Sequence, residues 1–234
     1  MPIITAIEPS QRRAGRYVVV VDGKPAATVD IETIERLSLG TGKTYDRVQA
    51  AVEQDAAALH TFDRALSMLA ARGRSSHELR RQHICKGEVA EHVDAAIARL
   101  LANGLLDDAA FARQLARSRV LGPGHSRRRL QQEMFKRGVD RDVADSAIAE
   151  VFEEDSVDED AIVERVARKK LRSLARLDPD TRKRRLYSFL ARRGYDADDI
   201  RRALACLAPE LTANPSDGWA TADADGDAPE EDTE

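Results

Sequence analysis

Between residues 74 and 207 one pattern is written three times: RSSHELRRQHICKGEVAEHVDAAIARL (74–100), GHSRRRLQQEMFKRGVDRDVADSAIAEV (124–151) and DTRKRRLYSFLARRGYDADDIRRALACL (180–207). Each stretch has a leucine followed eight residues later by glycine: Leu79 and Gly87, Leu130 and Gly138, Leu186 and Gly194. Nine residues past each glycine stands alanine (Ala96, Ala147, Ala203), ten past stands Ile97, Ile148 or Leu204, and thirteen past stands Leu100, Val151 or Leu207. A repeat at offsets of 51 and 56 residues constrains the fold more than any composition figure can. Its physical content is a helix, a glycine C-cap and a second helix of fixed length packed back on the first. Alanine at one offset marks a close helix approach.

A further helix is predicted before each pair, at about 62–72, 107–120 and 156–177. Start signals support this reading. Ser75 with Glu78, and Ser156 with Glu159, have capping-box spacing, and Asp107 can cap the middle unit's first helix with Leu106 and Phe111 as staple. Asp178-Pro179 supplies a cap and a first-turn proline, and Asp140 and Asp196 cap the last helices of the second and third units. Upstream, RYVVVVDGKPAATV (16–29) reads as a small hairpin turning at Asp22-Gly23. Thr44 to Arg72 lacks glycine and proline and keeps Val48, Val52, Leu59, Phe62, Leu66 and Leu69 on one stripe, as one long helix or two with a kink. The expected fold is therefore all-α, three tandem three-helix repeats in an elongated array. The boundaries are a hairpin and helical lead-in (1–61), repeats at 62–106, 107–155 and 156–208, and a disordered acidic tail (209–234). Such an array offers a long surface rather than a pocket.

The formal net charge of −4 conceals three regions. Residues 1–61 carry 7 basic and 8 acidic side chains, residues 62–207 carry 30 and 24, and residues 208–234 carry none and 9, so −1, +6 and −9 sum to −4. A basic body suggests a polyanionic partner. Arginine greatly outnumbers lysine, as GC-rich coding alone would produce, so placement weighs more than abundance. Cys85 and Cys206 are far apart and outside any CxxC pair, which suits two free thiols in a reducing cytoplasm. No apolar run has the length of a membrane span, and the N-terminus does not read as a secretion signal.

Three chemical readings fail on spacing. SLGTGKT (38–44) ends like a phosphate-binding loop, but the glycine required five positions before Gly42 is Leu37, and the segment before it is helical in pattern. His77, His83, His92 and Cys85 match no zinc spacing, and surface or half-buried histidines are expected. Neither cysteine has an identifiable base and orienting group. No catalytic residue, cofactor or metal is expected.

Units of about fifty residues with this pattern resemble the RecX family, regulators of the RecA recombinase. The resemblance is carried by ALSMLAARGRSSHELRRQ (65–82), LLANGLLDDAAFARQLARSRV (100–120) and GPGHSRRRLQQEMFKRGV (122–139), most specifically by Gly104-Leu105-Leu106-Asp107-Asp108, Phe111, Ala112 and Arg117-Ser118-Arg119. It spans about 16–207, is loosest in the third unit and leaves the acidic tail outside. It implies a cytoplasmic bacterial protein without catalytic activity that acts in DNA repair and the SOS response. Such proteins bind RecA, in particular its filament on single-stranded DNA, lie along the filament groove, and reduce ATP hydrolysis, strand exchange and filament lifetime. A monomer is expected, with direct non-specific DNA contact left open.

Two basic clusters are the contact candidates: Arg127, Arg128 and Arg129, then Arg165, Arg168, Lys169, Lys170 and Arg172 with Arg182, Lys183, Arg184 and Arg185. At spacings of three or four, Arg165, Arg168, Lys169 and Arg172 share a helix face, and their repulsion would be relieved by an anion. The bland reading is a solvated face partly neutralised by Glu153-Glu154-Asp155 and Asp158-Glu159-Asp160. Sequence-specific readout is not expected, because aromatics are not interleaved. The main rival is a helical DNA-binding transcription regulator, which needs one recognition helix and usually a symmetric dimer. The tail's carboxylates could compete for the basic face, or serve only solubility.

Overall fold

The computed structural model describes residues 1–212. Three strands, β1 (Ile4–Pro9), β2 (Tyr17–Val21) and β3 (Lys24–Val29), precede the helices α1 (Ile31–Arg36), α2 (Gln49–Ala71), α3 (Ser76–Cys85), α4 (Ala90–Ala102), α5 (Asp108–Leu121) and α6 (Arg127–Lys136). The series continues with α7 (Arg141–Glu154), α8 (Glu159–Arg172), α9 (Pro179–Arg192), α10 (Ala197–Cys206) and α11 (Ala208–Thr212).

The expected hairpin is part of a three-stranded antiparallel sheet in the order β1-β2-β3. Its turn is the predicted one, with Asp22 at φ 50° and Gly23 at φ 77°, both in the left-handed region that a two-residue hairpin turn needs. The sequence reading missed β1, whose Ile4 is fully buried with Val19 and Val29 against Tyr45 and Val52. Asp63 of α2 ties the residue before β2 to the helix, accepting from Arg16 Nη2 at 2.7 Å. This contact raises the Arg16 pKa, through the hydrogen bond and then the charge of Asp63, against the opposing effect of burial.

The helix expected before the glycines is α1, capped by Asp30, whose Oδ1 accepts from the Thr33 amide at 3.0 Å. The Gly-Lys-Thr segment lies beside β1. The Gly42 amide donates to the Ile4 carbonyl at 2.8 Å, and the Ile4 amide to the Lys43 carbonyl at 2.9 Å. Lys43 Nζ turns back onto the Ser38 carbonyl. The segment serves as an edge of the sheet and does not open into a phosphate cradle.

From Gln49 to Ala71 the chain is one helix, running unbroken through residues 61 and 62. The repeat pattern then becomes geometry. The amide one residue past each predicted glycine donates to the carbonyl four residues before it: Glu88 to His83 at 3.2 Å, Val139 to Met134 at 3.1 Å and Tyr195 to Leu190 at 3.3 Å. Gly87, Gly138 and Gly194 take φ of 80°, 70° and 85°, the left-handed residue of a helix-ending turn. Leu79, Leu130, Leu186, Leu100, Val151 and Leu207 are all completely buried, and the three alanines are nearly so.

Capping follows the sequence at Ser75, Asp107, Asp178 and Asp196. It departs at Ser156. That residue sits at φ 46° and closes α7, while the Val157 amide donates to the Phe152 carbonyl at 3.0 Å. Asp158 is the N-cap of α8 instead, accepting from the Ala161 amide at 3.0 Å. The helix expected to reach 177 ends at Arg172, because Leu171 and Leu174 bury together through a turn. The acidic segment begins inside a helix: Leu211 of α11 is buried against the cluster that holds Leu186, Leu190 and Leu207. The rest of the acidic tail lies outside the described residues.

The chain forms two compact units. One comprises Met1–Leu115 with Glu133–Ala147, and the other Ala116–Gln132 with the described residues from Ile148 to Thr212. In the first, Phe62, Ala65, Leu79, Ala96, Leu100 and Leu106 form the helical core. In the second, Val163, Val166, Ala167, Leu171, Leu186, Leu190, Ile200 and Leu204 do so.

Candidate functional site

Helix α8 places acids at its start, Glu159 and Asp160, and bases at its end, Lys169, Lys170 and Arg172, as the helix dipole favours. Val163, Val166, Ala167 and Leu171 bury its apolar face, so the bases are left toward solvent. Helix α9 starts at Asp178-Pro179 and buries Leu186 and Leu190, which turns Arg184, Arg185 and Arg192 outward.

Two clefts sharing Lys170 form on these helices. One, of about 480 Å³, is lined by Lys170, Leu174, Arg184, Arg185, Ser188 and Arg192. The other, of about 290 Å³, is lined by Arg165, Val166, Lys169, Lys170, Ser173, Phe189 and Arg193 with Gly122 and Pro123. Among the described residues no carboxylate lines either cleft. Phe189 lies under two cations, with Lys170 Nζ 5.3 Å and Arg193 Cζ 4.8 Å from its ring centroid. Burial and then the charge of Arg129 lower the Arg193 pKa against the pull of Tyr195. Arg193 donates to the Pro123 carbonyl. An anion entering these clefts would meet several uncompensated cations within one Debye length, about 8 Å at physiological salt.

The twelve cations named from the sequence divide by what they touch. Lys169, Lys170, Arg184 and Arg185 line the clefts together with Arg165. Arg128, Arg172 and Lys183 are exposed but belong to neither lining. Arg127 pairs with Glu159 at 2.6 Å and lies over the Phe152 ring, 3.9 Å from its centroid. Arg129 is half-buried beside the Gly194 turn. Arg168 pairs with Glu210 at 3.0 Å. Arg165 spends its guanidinium on the carbonyls of Val120, Leu121 and Gly122 at 3.3–3.4 Å, closing the C-terminus of α5. Arg182 is buried, its Nε donating to the Leu177 carbonyl at 2.7 Å. The face of Arg165, Arg168, Lys169 and Arg172 is thus not one free stripe.

The acidic runs pair with arginines off α8 and α9, of which Arg127 alone is among the twelve. Asp155 and Glu154 hold Arg117, Glu159 holds Arg127, and Asp160 holds Arg202. Sequence reasoning missed Phe189, Arg192 and Arg193. The available signal was Arg192-Arg193 directly before the Gly194 cap, where side chains splay from a helix end.

The remaining chemistry-bearing groups are internal. His83 is completely buried, against the expectation of a surface or half-buried histidine, and its Nδ1 lies 2.9 Å from Glu88 Oε2. Arg64 approaches the same carboxylate, 2.8 Å from Glu88 Oε1. Both cysteines are free and exposed. A hydrogen bond with Glu164 and burial raise the Cys206 pKa, which disfavours the thiolate. In the first unit a cavity of about 190 Å³ is lined by charges paired within the protein, Arg99 with Asp30 at 3.3 Å and Arg36 with Asp55. Among the described residues no group of histidine, cysteine and carboxylates is placed to hold a metal, and no helix is long and apolar enough to cross a membrane.

Glycine-capped helix pairs, each preceded by another helix and one bearing a cation-lined surface, define a protein of tandem three-helix repeats. Residues 107–148 match the family model described as the second three-helix domain of RecX, and residues 158–204 match the third. "Regulatory protein RecX" of Pelodictyon phaeoclathratiforme is 38% identical over 144 residues, covering 61% of this chain and 86% of that protein. The protein of the same name from Amycolatopsis mediterranei is 39% identical over 128 residues, covering 55% and 71%. A crystal structure of regulatory protein RecX superimposes with a TM-score of 0.69 at 21% identity, over 86% of this chain and 98% of that one, and shares the fold. The chain belongs to the RecX family of regulatory proteins.

Proposed function

We propose that this protein modulates, mainly by inhibition, a RecA-type recombinase, docking along the groove of the filament that RecA forms on single-stranded DNA. Docking lowers ATP hydrolysis and strand exchange by holding the filament, without chemistry of its own. The observation that carries this reading is the pair of clefts on α8 and α9, lined by cations and, among the described residues, by no carboxylate. Acidic surface of the filament or DNA phosphates would release the repulsion stored there, with a salt dependence set by the contacts made. Lys169, Lys170, Arg184, Arg185 and Arg192 are the contacts proposed. Arg127, Arg165, Arg168 and Arg182 act by holding the fold. The reading places a monomer in the cytoplasm, with working divisions at 1–61, 62–106, 107–155 and 156–208.

The test is the DNA-dependent ATPase of RecA with this protein added below one copy per RecA subunit. A fall in rate supports the reading. An unchanged rate at equimolar protein overturns it.

A further inference from the structure

We infer that the two clefts of α8 and α9 act as one site for a chain of linked phosphates, recognised through phosphate alone, and that its ligand is free inorganic polyphosphate. The inference deepens the reading of these clefts as anion-binding and rests on it. Elsewhere the second unit neutralises arginines internally: Arg117 with Asp155, Arg127 with Glu159, Arg168 with Glu210 and Arg202 with Asp160. In the clefts the cations stand together with no carboxylate among the described lining residues, so the counter-charge falls to a ligand. Lys170 lines both clefts, which makes them two stations along one ligand.

The site is held ready. Lys170 Nζ and Arg193 Cζ lie 5.3 and 4.8 Å from the Phe189 ring centroid. Arg165 donates from Nη1 to the Gly122 carbonyl and from Nη2 to the Leu121 carbonyl, both at 3.3 Å. Groups already positioned lose little freedom when an anion arrives. Along α9, Arg185, Ser188 and Arg192 recur at intervals of three and four, so that cleft runs about 10 Å along one helix face. Ser188 Oγ donates to the Arg184 carbonyl at 3.0 Å and Ser173 Oγ to the Lys170 carbonyl at 2.7 Å. The hydroxyls are therefore spent, and the donors left for a ligand are cationic.

This donor set discriminates among anions. An extended acidic peptide presents carboxylates on one face about 6.6 Å apart, sparse for cations crowded on one turn of helix. A phosphate chain carries a negative charge at every phosphorus, and guanidinium forks grip its oxygens in pairs. Proteins that hold single-stranded nucleic acid add aromatic faces on which bases stack. Phe189 is the only aromatic among the described lining residues, and Lys170 and Arg193 engage it. Nothing in the linings is left to read a base. Bound polyphosphate would occupy the cations that a filament needs, so its level would set how much of the protein is free to dock.

The test is calorimetric titration of the full-length chain with long-chain inorganic polyphosphate at physiological salt. Binding should saturate and be tighter per phosphate than binding of orthophosphate. Lys169→Gln touches one cleft and Arg185→Gln the other, and both positions are exposed. Each variant should weaken binding about tenfold, whereas Arg128→Gln, exposed and outside both linings, should leave it unchanged. A loss in only one of the two cleft variants overturns a site that spans both clefts. An equal loss in Arg128→Gln, or polyphosphate no tighter per phosphate than orthophosphate, overturns the site altogether. Polyglutamate binding as tightly would assign the clefts to an acidic protein surface, and oligodeoxythymidylate binding more tightly per phosphate would assign them to nucleic acid; either result overturns the proposed ligand. Failure of polyphosphate to bind, with RecA inhibition intact, would remove this inference alone. Polyphosphate bound at the clefts of a protein without effect on RecA would remove the proposed function and leave this inference standing.

Discussion

His83 Nδ1 lies 2.9 Å from Glu88 Oε2, and the two fill positions that the later repeats give to Met134 with Val139 and to Leu190 with Tyr195. All three residues at the His83 position are completely buried. The first repeat therefore builds with a polar pair what the others build with apolar contact. Breaking a buried pair by removing one member costs about 3–5 kcal/mol, whereas replacing both by apolar groups of similar size is often neutral. Glu88→Val alone should lower the urea midpoint sharply, and His83→Met added to it should recover most of the loss. A double-mutant cycle by urea denaturation checks this.

The same carboxylate gives a pH dependence. Burial pushes the Glu88 pKa up, but the nearby polar groups of His83 and Thr61 and the charge of Arg64 outweigh it, so the value lies below its ordinary 4.5. A depressed folded pKa contributes stability that is present above the unfolded value and lost as pH falls through the folded one. The stability gap between the native chain and Glu88→Gln should be widest near neutrality and close as pH falls below the ordinary carboxylate value and through the depressed folded one. Thermal melts of both proteins across that range measure it.

The helix-ending glycines should differ in tolerance although their backbones match. A Cβ at Gly87 meets nothing within 4 Å, one at Gly138 would lie 2.2 Å from His77 Cγ, and one at Gly194 would lie 2.6 Å from Ser126 Oγ and 3.1 Å from the Arg129 amide nitrogen. Gly87→Ala should cost about 1 kcal/mol, for the left-handed backbone alone. Gly138→Ala and Gly194→Ala should each cost at least about 2 kcal/mol more, since overpacking adds to that strain. Denaturant midpoints of the three variants decide the order.

Tyr195 is buried, and its hydroxyl donates to the Gly124 carbonyl at 2.8 Å. Burial pushes its pKa up to about 12 from 10.0, with Arg193 and Arg165 opposing. A folded pKa above the unfolded one supplies stability that is complete below the unfolded value and lost as pH rises toward the folded one. Tyr195→Phe should cost about 1–2 kcal/mol at neutral pH and lose less than the native chain between about pH 10 and 12.

The basic residues should separate into two phenotypes. Arg182→Ala empties a buried position and strands the Leu177 carbonyl, so a loss of about 2 kcal/mol is expected. Arg184→Gln/Arg185→Gln should leave stability within about 0.5 kcal/mol while weakening inhibition of the RecA ATPase and flattening its salt dependence. Paired melts and ATPase titrations distinguish the two.

These contrasts show where the sequence was legible. Leucine, glycine and alanine at fixed offsets report the backbone and its close approaches directly, so the helix pairs and their turns could be read. Ser156 misled because serine serves both as an N-cap and, less often, as the left-handed residue ending a helix, and its neighbours did not choose between them. Strand β1 escaped because Ile4 signals only through partners at Val19 and Val29. The clefts escaped for a different reason. Charge runs name arginines, but whether a guanidinium faces water or a carbonyl, as Arg165 does with Val120, depends on chain brought from more than forty residues away.

The interval between each leucine and its glycine carries a further consequence. Successive residues of an α-helix are rotated by about 100°, so one inserted or deleted residue between Leu130 and Gly138 would swing that leucine out of phase with the interior while its stop signal stayed in place. Side chains along these helices are free to drift wherever they face water. Their count is not, and the longer third repeat takes its extra residues outside that interval, between the start of α8 and Leu186.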